Sequence, residues 1–175
     1  MCELDEYLNQ LPKGVSLVSM AKIKVEKTLP INPDKSGSEP SLTRDQVWEG
    51  LLLKVYDARP FVPLMTRCEV TEELENGIVR EIIFDNMPLK ERIILYPKEK
   101  IEFIRVGFGV EMGSIWNIIL EEGGELFMQF AFELEVENLT DQELNEYEEK
   151  RAIGYLHAVQ ASIDHIRKLT DEKRQ

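Results

Sequence analysis

The chain has 175 residues, 43% hydrophobic and 31% charged, with a formal net charge of −12. That length suits one globular domain with a sizeable core. The acidic balance excludes the clustered Lys and Arg that a nucleic-acid footprint or adhesion to an anionic membrane would need.

Two cysteines, Cys2 and Cys68, make no disulfide framework, so reduced thiols and a cytoplasmic location are expected. No stretch approaches the roughly 20 continuous apolar residues of a membrane span. The opening MCELDEYLNQLPKG lacks the basic start and apolar run of a signal peptide. Leu4, Leu8 and Leu11 stand at helical spacing in it; Pro12 and Gly14 end that element, and residues 1–14 read as an N-terminal extension.

A single domain is expected over residues 15–175. Leu17 to Leu29 alternates as a long strand, with Ala21, Ile23 and Val25 on one face and Lys22, Lys24 and Glu26 on the other. The Pro, Gly and Ser of INPDKSGSEPS then mark an exposed loop. Thr43 to Val55 predicts a helix capped by Thr43, with Val47, Leu51 and Val55 on one face and Trp48 and Leu52 beside them. Pro60 and Pro63 stop it.

Three hairpins follow. A three-residue loop at Glu75-Asn76-Gly77, with Gly77 left-handed, sets Leu74 against Ile78 and Glu72 against Arg80. A two-residue Asn-Gly turn would oppose Glu72 and Glu81, a like-charge pair. A loop at Pro97-Lys98-Glu99 sets Leu95 against Ile101, Ile93 against Phe103 and Glu91 against Arg105. A loop at Glu122-Gly123-Gly124 sets Ile118 against Met128, Trp116 against Phe130 and, on the other face, Asn117 against Gln129. A two-residue Gly-Gly turn would put Asn117 against Phe130, a poorer match of polarity.

Thr140 to Leu169 carries the longest helical signal. Thr140 and Glu143 make a capping box, and Leu144, Ala152, Tyr155, Val159, Ile163 and Ile166 share one face. The whole is an α+β pattern: a curved antiparallel sheet of about seven strands, a short helix after the first strand, and a long C-terminal helix for the sheet to wrap.

Four strings carry a resemblance: LTRDQVWEGLLLKVYDARPFVP, ENGIVREIIF, LKERIILYP and the GSIWNII…GELFMQFAFE run. The chain from Met20 to Leu169 resembles the helix-grip proteins of the START and birch-pollen-allergen superfamily, also called SRPBCC, and within it the AtaL-like branch. The resemblance implies a hydrophobic cavity between sheet and C-terminal helix. It implies a lipid, sterol or polyketide-like ligand, carried or acted on by cyclases and aromatases. It transfers no catalytic residue.

Candidate site residues are the inward ones of the assigned registers: Ile93, Leu95, Phe103, Trp116, Ile118, Met128, Phe130 and Phe132, with Tyr155 and Val159 of the helix. Among polar groups, Glu91 and Arg105 stand mid-strand and would orient a ligand's hydroxyl or carboxylate; if the register slips by one, they face water instead. Tyr155 would hydrogen-bond a ligand or act as a weak acid, although a phenol ordinarily ionises near pH 10. Gly107 and Gly109 suggest a loop at the cavity mouth. His157 and His165, eight residues apart on one helix, lack the one-turn spacing of a metal pair, so no metal or cofactor is expected. A non-enzymatic ligand-binding protein is the first reading. A polyketide cyclase-like enzyme using Glu91, Arg105 or Tyr155 is the second, and a peptide-binding groove the third.

Overall fold

The computed structural model describes residues 20–34, 36–106, 112–137 and 140–173. The N-terminal extension and most of the Gly107–Gly113 loop lie outside the described residues. Seven strands form one antiparallel sheet: β1 (Met20–Pro30), β2 (Met65–Leu74), β3 (Gly77–Phe84), β4 (Met87–Tyr96), β5 (Lys100–Arg105), β6 (Met112–Glu122) and β7 (Glu125–Glu137). Their spatial order is β1-β7-β6-β5-β4-β3-β2. Helix α1 (Arg44–Tyr56) follows β1, and helix α2 (Asp141–Glu172) ends the fold. The sheet curves around α2 as expected.

Both helices start where the sequence says. Thr43 accepts from the Gln46 amide and Thr140 from the Glu143 amide, and each partner's side chain returns a bond to the cap's backbone N–H. Each box satisfies donors that the first turn would otherwise leave unpaired. The Thr140 amide, and after it the Thr140 hydroxyl, hold the Glu143 carboxyl below its usual pKa. Val47, Trp48, Leu51 and Val55 of α1 and Val159, Ile163 and Ile166 of α2 are buried against the inner face of the sheet, together with Ile23, Ile78, Ile93, Ile101, Phe130 and Phe132. The two helices touch closely at Gly50, where an added Cβ would lie 2.4 Å from Ile166 Cγ1.

The Pro97-Lys98-Glu99 loop is found with Lys98 left-handed at φ 61°, and Ile93 faces Phe103 and Glu91 faces Arg105. The other two predicted registers are corrected. In the first, Glu75 and Asn76 alone make the turn, so Leu74 opposes Gly77. Gly77 is not left-handed; it is required because a Cβ there would sit 1.8 Å from the Ile93 carbonyl oxygen. A bulge between Val70 and Glu72 then shifts the strand, leaving Glu72 exposed opposite Val79 and Arg80 opposite Val70.

In the last hairpin, Gly123 and Gly124 are both left-handed, at φ 59° and 79°, and form a two-residue turn. Asn117 therefore opposes Phe130, Trp116 opposes Ala131 and Ile118 opposes Gln129. Trp116 and Ile118 lie on the outer face, half-buried, rather than against Phe130 and Met128 on the inner one. Asn117 is the inward residue.

Candidate functional site

The inner face carries a layer of charge. Asp85 and Asn86, both left-handed at φ 48° and 63°, turn β3 into β4 so that Arg80 stands opposite Glu91. The next strand sets Glu91 opposite Arg105. All three are buried, at 2%, 3% and 6% exposure. Arg80 donates to Glu91 Oε2 from Nε at 2.9 Å and from Nη2 at 2.7 Å. Its Nη1 donates to the carbonyls of Lys54 and Val55 at 2.9 and 2.8 Å, which ties the end of α1 to the sheet. Glu91 Oε1 lies 3.9 Å from Arg105 Nε. A buried ion pair of this kind holds only when its hydrogen bonds are filled, and the α1 carbonyls help fill them.

Lys54, which the sequence reading did not single out, is the fourth member. It is 5% exposed. Its Nζ donates to Asn117 Oδ1 of β6 at 3.0 Å and approaches Ser162 Oγ of α2 at 3.5 Å. It lies 4.3 Å from the Phe130 ring centroid and 5.9 Å from that of Phe103. Burial, with the Arg80 guanidinium adding to it and Glu91 opposing, pushes the amine down to about 7. A signal for it was present: Lys54 continues the apolar stripe of α1 from Leu51, and a charged residue inside such a stripe demands a partner.

Of the expected site residues, the structure brings Glu91, Arg105, Ile93, Phe103, Met128, Phe130, Phe132 and Val159 to the inner face as buried groups; Leu95 is half-buried there. Tyr155 is half-buried and stacks on Phe132, centroids 4.3 Å apart and planes 29° apart. Glu72 is not part of the layer. His157 is exposed, while His165 packs edge-on against Phe61 at 4.6 Å. Among the described residues no group of His, Cys, Asp and Glu is disposed to hold a metal ion. Two hollows formed by described residues lie away from the charged layer. One, of about 460 Å³, runs beside Glu39, Arg167 and Asp171; the other, of about 260 Å³, lies by Ile82, Pro88 and Leu89.

Among the described residues no helix is long and apolar enough to cross a membrane. The curved sheet gripping a long C-terminal helix, with a part-polar interior between them, defines a protein of the helix-grip fold. The chain belongs to the AtaL family: the family model described as acetylaranotin biosynthesis cluster protein L matches residues 25–173. No curated protein matches it in sequence.

Its fold is similar to that of the di-domain ARO/CYC StfQ from the steffimycin biosynthetic pathway, with a TM-score of 0.67 at 10% identity over 86% of this chain. The chain spans about half of that protein, 52% of its length. It is also similar to the Zhui aromatase/cyclase from Streptomyces sp. R1128, with a TM-score of 0.59 at 16% identity over 86% of this chain and 95% of that one. A third likeness is to Ara h 8.0201, with a TM-score of 0.56 at 11% identity over 85% and 98% of the two chains.

Proposed function

We propose that the chain binds a hydrophobic small molecule, lipid- or polyketide-like, between the inner face of the sheet and the first half of α2. One observation carries the reading. The apolar stripe of α2 runs on through Leu144, Tyr147 and Tyr155, yet no residue of α2 before Val159 is buried. Apolar surface left half-covered beside a few buried polar groups is the composition of a ligand site. Covering it contributes about 25 cal/mol per Å² of apolar area. Phe130 and Phe132 would line the sheet side, and Glu91, Arg105 and Lys54 would supply the polar contacts. Native mass spectrometry of the purified protein tests the reading, followed by titration of a fluorescent fatty acid into wild type and Phe130→Ala. A retained apolar compound and weaker binding by the variant are expected. No binding by any apolar probe would leave the groove to a peptide partner.

The second reading is a polyketide cyclase-like enzyme. What supports it is Lys54: an amine pushed down to about 7 populates both protonation states near neutral pH, as an acid–base group must. Two of the fold neighbours are named as ARO/CYC or aromatase/cyclase. Lys54→Met would then abolish product formation from a poly-β-carbonyl substrate while binding survives, because a positioned acid or base contributes about 10²- to 10⁴-fold to rate.

A further inference from the structure

We infer that the molecule bound between sheet and α2 carries an anionic oxygen, a carboxylate or its equivalent, which seats on the Lys54 ammonium. The inference rests on the ligand-binding reading above and specifies the ligand's chemistry.

The four charged groups of the interior are not served alike. Arg80 has Glu91 at hydrogen-bond distance and two backbone carbonyls besides. Lys54 has only neutral partners among the described residues: Asn117 from β6, Ser162 from α2 and the face of Phe130 from β7. The other groups bearing on it are Arg80 from β3, which repels it, and Glu91 from β4, whose Oε2 is occupied by Arg80. Phe103 from β5 is apolar, and Arg105 of the same strand is turned to Glu91.

An ammonium offers three hydrogens. Asn117 Oδ1 takes one, and Ser162 Oγ, itself donating to the Ala158 carbonyl at 2.7 Å, takes a second at long range. The third has no carboxylate to meet, and a buried cation without a counter-charge is costly. The protein holds this cation where its partners come from both walls, one from the sheet and one from the helix. That is where an apolar ligand between them would present its polar end. An anionic oxygen there completes the shell and restores the ammonium; an uncharged hydroxyl does only the first.

The test uses the full chain and two probes of one chain length, decanoic acid and decan-1-ol, measured by dye displacement. The acid is ionised at any pH well above the ordinary carboxylate value of about 4. At about pH 6, where Lys54 is charged, wild type is expected to bind the acid on the order of ten- to a hundredfold more tightly than the alcohol, the range of a charge-assisted hydrogen bond. That preference should shrink as the pH passes about 7 and free Lys54 loses its proton. Lys54→Met should lose the preference, binding acid and alcohol alike, and Lys54→Arg should keep the preference. Equal binding of acid and alcohol by wild type at both ends of the pH range would overturn the inference and leave an apolar-ligand protein. A preference that survives in Lys54→Met would overturn it by placing the anion elsewhere. Failure of both probes to bind would overturn the inference together with the reading beneath it.

Discussion

The two halves of α2 share one helix and one apolar stripe, and their fates differ. From Val159 onward the stripe is buried, with Val159, Ser162, Ile163, Ile166 and Thr170 all covered. Before it no residue is buried, and Leu144, Tyr147 and Tyr155 of the stripe are only half-covered. The difference lies in what stands opposite. The second half meets α1 at Gly50, and Arg167 donates to the carbonyls of Ile31 and Pro40, binding the helix to the loop after β1. The first half meets the sheet by half-buried contacts such as Tyr155 on Phe132. Hydrophobic periodicity therefore sets which face of a helix turns inward, and the elements packed upon it set how far that face is covered. Here one end is an anchor and the other a cover.

The contrast can be broken most directly at Val159. Val159→Asp puts an unpaired charge into the anchor and should cost on the order of 3 kcal/mol. An unchanged denaturation midpoint would remove the anchor. Next comes Lys54, which reaches the anchored half through Ser162. Its pKa is lowered on folding from 10.5 to about 7, so between those values the unfolded chain holds a proton that the folded chain lacks. Stability contributed by this site therefore rises with pH across that window and is least below about 7. Relative to Lys54→Met, wild type should gain about 2 kcal/mol between roughly pH 7 and pH 9. Parallel pH profiles from urea melts of the two proteins would refute the burial of the amine.

A smaller effect is expected at Gly50→Ala. The new methyl crowds Ile166, at a cost of about 1 to 3 kcal/mol, offset in part by the better helix propensity of Ala. A net loss of about 1 kcal/mol, read as a lower melting temperature, would mark the helix–helix contact as tight. The smallest effect belongs to the cover. Leu144→Ala, at a half-buried position of the stripe, should cost less than about 1 kcal/mol, and the roughly 2 to 5 kcal/mol of a fully buried leucine would show that the first half is anchored too.

The sequence made the helices and their caps legible, because capping boxes and 3.6-residue stripes are local. The β4–β5 register was legible because large apolar partners and the Glu91–Arg105 pair agreed on one loop. The β6–β7 register was read wrongly for one reason. Asn117 was assigned to the outer face because it is polar, whereas it turns inward to accept from Lys54 of α1, far away in the chain. Missing the lysine misplaced the asparagine, and with it Trp116 and Ile118. The β2–β3 register was missed because Glu75 and Asn76 alone make the turn, and because a bulge between Val70 and Glu72, which no alternation pattern reveals, shifts the strand again. Arg80 was given the wrong partner for the same kind of reason: the Asp85-Asn86 turn pairs it with Glu91 of the following strand. The charged layer with its partners Asn117 and Ser162 joins residues from two helices and four strands, and periodicity within any one of them does not reveal it.

The sheet order has a kinetic consequence. β2 to β7 follow one another as neighbours, so each pairing there closes a short stretch of chain. β1 instead joins β7, and Lys22 meets Glu133 across 111 positions of sequence. Closing so long a loop costs more entropy than turning a hairpin. The meander should therefore assemble first and β1 should dock after the folding barrier, sealing the side of the sheet on which α2 lies. Ile23→Val in β1 should then speed unfolding and leave the folding rate unchanged, which the two arms of a denaturant chevron separate.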